Sequence, residues 1–166
     1  MSRPPQIAVI GRGVSDPELE RLAEEVGRAL AAAGATVVCG GLGGVMEAAA
    51  RGAAGADGIV IGIVPGEEAS DANPHCTHVV ATGIGHARNL AVVASGDAVI
   101  AIGGEWGTLA EIGFARRLGR QVIALRSWEL TPGTPIDDAA GVDAVDDPAE
   151  AVDRALGAAR ARLGSR

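Results

Sequence analysis

The alternation of short apolar runs with longer stretches of helical periodicity predicts an α/β protein: a Rossmann-like, doubly wound parallel sheet of six or seven strands in three layers. Three observations carry this expectation. Ile7–Ile10, Gly58–Val64 and Asp97–Ile102 lack polar alternation, as strands covered on both faces do. The helical segments between them run to roughly ten to eighteen residues, the length a crossover between parallel neighbours requires. Glycine clusters punctuate the carboxyl ends of the runs. Ligands of such sheets sit beyond those ends, so the turns after the first, second, fourth and central strands are expected to converge on one crevice.

Taken in order, Ile7–Ile10 is the first strand and Gly11-Arg12-Gly13 its turn. Ser15 or Asp16 caps the next helix, Pro17 suits its first turn, and Leu19, Leu22, Ala23, Val26 and Leu30 form an apolar stripe that Gly34 ends. Thr36–Cys39 is the second strand, and Gly40 to Gly44 turns into an alanine-rich helix from Val45 to Ala54. Gly58–Val64 is the third strand, followed by an acidic loop from Glu67 to Pro74 that is too polar for a core. His78–Ala81 is a short fourth strand, and Gly83-Ile84-Gly85 leads into a helix from about His86 to Ala94. The central strand, Asp97–Ile102, enters the turn Gly103-Gly104-Glu105-Trp106-Gly107. Thr108 and Glu111 then have capping-box spacing at the start of a helix from Leu109 to Leu118. Gln121–Leu125 is a further strand, Trp128 to Gly141 a surface connection, and Val142–Val145 an edge strand. Asp146 or Asp147 caps the final helix with Pro148 in its first turn, and Arg160 to Arg166 are expected to fray. Residues 1–166 are expected to form a single domain, without repeat or linker.

Composition narrows the partners. With 21 acidic against 14 basic residues and a net charge of -7, the surface is expected to repel nucleic acid and anionic membrane, although a local arginine can reverse the field within a cleft. Cys39 and Cys76 lack metal spacing and a secretory context, so reduced thiols and a cytoplasmic location are expected. No run reaches the ~18 apolar residues of a membrane span. His75, His78 and His86 show no ligand pattern, and neither a metal nor a resident cofactor is expected. The turn after the first strand lacks the third glycine of a dinucleotide fingerprint, and Gly40 to Gly44 lacks the lysine of a P-loop.

The turn after the central strand carries the chemistry. A glycine turn feeding a helix start exposes backbone N–H groups where the helix dipole favours an anion such as phosphate, although any tight β-to-α turn also uses glycine. Gly40 to Met46, His86-Ala87-Arg88-Asn89 and Gly103 to Glu111 together resemble the LOG-like superfamily, which includes cytokinin-activating phosphoribohydrolases, and the resemblance covers nearly the whole chain. Within it, the short length and the Gly-Gly-Glu-Trp-Gly-Thr form are closest to a small branch similar to molybdenum-cofactor carrier proteins. The resemblance implies a nucleotide-binding domain in which Arg88 and Glu111 stand at the catalytic positions, and in which Gly11, Gly41, Gly44, Met46, Gly104, Gly107 and Thr108 contact a phosphorylated ligand. It implies two functions: hydrolysis of the N-glycosidic bond of a nucleoside 5′-monophosphate, or non-catalytic carriage of molybdenum cofactor or a related phosphorylated pterin.

Departures from the hydrolase pattern weigh toward binding. Gly103 replaces a proline, Asn89 a lysine and Ala110 a glutamate, while Glu105 replaces a glycine, where its carboxylate would oppose a phosphate unless it points away. Simpler roles stand beside the functional ones. Glu111 could serve only as the cap partner of Thr108, Arg88 as a solvated charge, Met46 as core, and Trp106 as a packing, stacking or subunit-contact residue. The apolar helices from Val45 to Ala54 and Leu109 to Leu118 predict a homodimer or higher even oligomer, as the resemblance also implies.

Overall fold

A computed structural model describes residues 3–130 and 142–165. Its strands are β1 (Gln6–Gly11), β2 (Thr36–Cys39), β3 (Val60–Val64), β4 (His78–Ala81), β5 (Ala98–Ile102), β6 (Gln121–Leu125) and β7 (Val142–Val145). Its helices are α1 (Pro17–Ala32), α2 (Val45–Ala54), α3 (Arg88–Ser95), α4 (Trp106–Arg117) and α5 (Pro148–Gly164). The strands form one sheet in the order β4-β3-β2-β1-β5-β6-β7, with every neighbouring pair parallel. The doubly wound α/β expectation therefore holds, with seven strands.

Alternation along the strands divides the core. Ile7, Val9, Ile100 and Ile102 join the buried faces of α1, α2 and α5, whereas Ala8, Ile10, Val99 and Ala101 meet Val92 and Val93 of α3 and Ile112 and Ala115 of α4 on the other side. These are the three layers. Each large aliphatic side chain so buried contributes about 1.5–3 kcal/mol to the fold. At the sheet's amino edge, Arg3 donates to both carboxylate oxygens of the buried Asp97, at 2.7 and 2.8 Å, and fastens the incoming chain.

Four local expectations are corrected. The third strand begins at Val60 rather than Gly58. Helix α4 begins at Trp106 rather than Leu109. Helix α5 does not fray from Arg160 but runs to Gly164, with Ala159 in the core and Leu163 half-buried. Helix α2 offers no outer face to a partner, because α1 covers it: a Cβ on Gly27 would lie 2.9 Å from the Ala49 carbonyl carbon, and one on Gly52 2.8 Å from that of Glu24. The two glycines thus let the helix backbones touch. Most of the connection expected between Trp128 and Gly141 lies outside the described residues, although Trp128 itself packs against the core. No described helix is long and apolar enough to cross a membrane.

Candidate functional site

Because all strands are parallel, every β-to-α turn opens on one edge of the sheet. The chain turns outward in one direction from β1 through β2, β3 and β4, and in the other from β5 through β6 and β7, so the crevice lies between β1 and β5. The turns after β1, β2 and β5 border it directly. The turn after β4 is at the far edge of the sheet, and α3 carries its functional residue back toward β2.

That residue is Arg88, the first of α3 and only 6% exposed. It lies across the end of β2, where Gly40 has no side chain: a Cβ there would strike the guanidinium and come within 2.6 Å of Met46 Sδ. Gly40 is therefore the position that admits both Arg88 and Met46. Burial lowers the proton affinity of the guanidinium, and the charges of Glu111 and Cys39 oppose that effect. Its Nε is buried without a hydrogen-bond partner among the described residues. A guanidinium so placed costs free energy until an anion reaches it.

Glu111 faces Arg88 from the second turn of α4. It is 7% exposed, and burial pushes its carboxyl up to about 7 against the opposing pull of Arg88. The anticipated Thr108–Glu111 capping box does not form. The box is made one turn earlier, between Glu105 as N-cap and Thr108, whose Oγ1 accepts the Glu105 N–H at 3.3 Å. Glu111 is thereby released from capping and left with the cleft.

The same shift explains Glu105. Its carboxylate caps α4 and lies 3.5 Å from Arg12 Nε, while Arg12 Nη1 is 3.5 Å from Asp16. Arg12 thus spans the mouth of the crevice from the turn after β1 to the turn after β5, and partly offsets the charge that Glu105 presents. Trp106 extends from the start of α4, 78% exposed, with its ring 5.5 Å from that of Trp128. The Trp128 indole N–H donates to the Glu105 carbonyl at 3.3 Å.

The remaining sequence-designated residues divide in two. The spaces at Gly11, Gly41, Gly44 and Gly104 are filled by the chain itself: their missing side chains would meet Val45, Val64, Gly13 and Trp128, at 2.7, 2.6, 2.8 and 2.5 Å. These four shape the turns by close packing. Gly107 is open, its nearest neighbour being Asn89 Nδ2 at 3.9 Å, and Thr108 is buried as the cap partner. Arg12 and Gly40 were not singled out from the sequence. The one signal for Arg12 is a lone cation inside Gly11-Arg12-Gly13; Gly40 is hidden among its neighbouring glycines. The described residues contain no cluster of three or more metal-ligating side chains.

Comparison with known proteins identifies relatives of the same fold. A family model described as the SLOG cluster4 family matches residues 4–152. An uncharacterized protein of Archaeoglobus fulgidus is 44% identical over 121 residues, 73% of this chain and 80% of that one. Among solved structures, the molybdenum cofactor binding protein of Rippkaea orientalis superposes with a TM-score of 0.82 at 31% identity, covering 92% of this chain and 95% of that one. The molybdenum cofactor carrier protein of Chlamydomonas reinhardtii superposes with a TM-score of 0.80 at 27% identity, covering 99% of this chain and 100% of that one.

Proposed function

This chain belongs to the SLOG cluster4 family, and we propose that its crevice binds a small phosphorylated heteroaromatic molecule, as a carrier of molybdenum cofactor or a related phosphorylated pterin. The observation that carries the reading is Arg88, a buried guanidinium with an unpartnered Nε above Gly40. A ligand phosphate or phosphate-like group would supply charge-assisted hydrogen bonds of about 1.5–3 kcal/mol there. The pairing of Glu105 with Arg12 eases the electrostatic objection to an anion. The overall charge of -7 disfavours polynucleotide, while Arg12 and Arg88 bring positive charge to the crevice itself. The likeness to two proteins described as molybdenum cofactor binding and carrier proteins, across nearly their whole lengths, supports cargo binding.

One observation favours a second reading, hydrolysis of a nucleoside 5′-monophosphate. A carboxyl held at about 7 beside an arginine is suited to general acid–base work near neutral pH. In that reading Glu111 activates water or stabilises the developing oxocarbenium ion while Arg88 holds the phosphate. Calorimetry with AMP and with a phosphorylated pterin, on the wild type and Arg88→Ala, tests the site; assay of the same AMP mixtures for free adenine tests the chemistry. The proposal expects binding that Arg88→Ala weakens about 10- to 100-fold and no base release. Unchanged affinity in Arg88→Ala would remove the site, and steady adenine release would move the assignment to the hydrolase.

The protein is further proposed to pair with a second copy of itself through α3 and α4. The outward positions Leu90 and Ala94 of α3, and Ala110, Gly113, Phe114 and Leu118 along and just beyond α4, are exposed and apolar, with Arg117 as a charge beside them. An exposed apolar face of this kind marks a contact surface. A twin surface related by a two-fold axis would bury both.

A further inference from the structure

Two thiols lie next to this cleft and have no part in the proposed binding. Cys39 closes β2, is fully buried, and pairs in the ladder with Gly62 of β3. In-register residues of neighbouring parallel strands, roughly 4.8 Å apart, direct their side chains to the same face. The side-chain space at Gly62 is taken by Cys76: its Sγ lies 2.6 Å, and its Cβ 3.3 Å, from where a Gly62 Cβ would stand. The sulfur of Cys76 therefore fills the place beside the Cys39 side chain, and it packs against the core cluster that contains Cys39.

The loop that brings Cys76 there is fastened. Asn73 Oδ1 accepts the His75 N–H at 3.1 Å and the Cys76 thiol at 3.6 Å. The Asn73 N–H donates to the Gly41 carbonyl at 2.8 Å, and its Nδ2 donates to the Leu42 carbonyl at 3.0 Å. Both sulfurs are thus held to the glycine turn on which Arg88 rests, and both thiols are free.

From this juxtaposition we propose that Cys39 and Cys76 are a thiol–disulfide site, closed into an intramolecular bond by a two-electron oxidant of the hydroperoxide class and reopened by a dithiol. The half-buried Cys76 is the attacking group. The Cys39 side chain lowers the pKa of the Cys76 thiol against the opposing effect of burial, while Cys76 and burial together raise that of Cys39. The Cys76 thiolate attacks a peroxide oxygen, breaking the O–O bond, becoming a sulfenic acid and releasing one water once protons are balanced. The Cys39 sulfur then attacks the Cys76 sulfur, its proton leaves with the departing hydroxide as a second water, and the S–S bond forms. Two thiols and one peroxide become one disulfide and two waters.

The bond would join the loop before β4 to the last residue of β2, directly before Gly40, and so tie down the floor under Arg88. Treating the folded protein with a few equivalents of hydrogen peroxide, followed by intact mass and peptide mapping, tests the site. The expected result is a loss of about 2 Da, disappearance of both titratable thiols, a linked Cys39–Cys76 peptide, and full reversal by dithiothreitol. Cys76→Ser, altered at a half-buried position, should keep Cys39 reduced under the same treatment. Wild type that retains both thiols, gains oxygen mass at Cys76 alone, or links only between molecules would overturn the proposal. The linked peptide is read in the wild type, so this outcome does not depend on how a variant folds.

Discussion

Replacing Glu111 by glutamine is the sharpest probe of the cleft's electrostatics. Burial holds the Glu111 carboxyl at about 7, against an ordinary value of 4.5 that it regains on unfolding. Between those two values the folded chain keeps a proton that the unfolded chain has lost. Stability from this group is therefore greatest below pH 4.5, falls as pH rises through the window, and levels off above 7. The difference corresponds to about 3 kcal/mol, and Glu111→Gln, which resembles the protonated acid in shape, does not carry it. Urea denaturation of both proteins from pH 5 to pH 8 should show the variant gaining on the wild type by about 2–3 kcal/mol across the range. Other ionisable groups cancel in the difference. A variant whose advantage does not change with pH would show that Glu111 is already well hydrated, and the picture of a dry cleft floor would fail.

Three further outcomes follow from the same geometry. Glu105→Ala removes the N-cap of α4 and the partner of Arg12, so thermal unfolding should report a loss of about 0.5–2 kcal/mol; an unchanged midpoint would mean that the cap is idle. Gly40→Ala places a Cβ where Arg88 and Met46 lie, and should cost about 1–3 kcal/mol of stability and lower phosphate affinity with it; calorimetry that finds wild-type binding would displace Arg88 from the site. Light scattering should find a dimer at micromolar concentration that Phe114→Glu converts to monomer, and a monomeric wild type would refute the apolar α3 and α4 face as a subunit contact.

The fold was legible because its signals are local. Strands covered on both faces must be apolar throughout, and β6 begins and ends where that pattern does; the edge strands β4 and β7, though partly exposed, also keep their expected bounds. Helix α2 likewise starts after its glycine turn and stops at Ala54. What failed were boundaries where two local signals compete. Thr108 and Glu111 have the spacing of a capping box, yet Glu105 and Thr108 share that spacing and sit where the chain actually leaves the strand. Glutamate is an unusual N-cap, so propensity pointed to the wrong pair. The end of α5 was expected to fray from Arg160, whereas Ala159 lies in the core just before it and Leu163 is half-buried within it.

The site was legible only in part, for a different reason. Arg88 and Glu111 stand out through a motif, but what equips them for the proposed role is burial, and burial depends on residues far away in sequence. Arg88 is dry because Gly40 leaves a gap at the end of β2, and Glu111 is buried on the inner face of α4, free of the cap that Glu105 and Thr108 make. Neither fact can be read from composition or spacing, since each concerns which neighbour takes the room a missing side chain leaves. The same holds for Arg12, an ordinary turn cation in sequence and the counter-charge of Glu105 in space. Glu105 and Arg12 together turn an apparent defect of the anion-binding turn into a brace across the crevice. In the proposed binding role, a phosphorylated ring would meet that brace with a guanidinium behind it, and the Glu111 carboxyl, held at about 7, would take up a proton as the bound anion offsets the charge of Arg88.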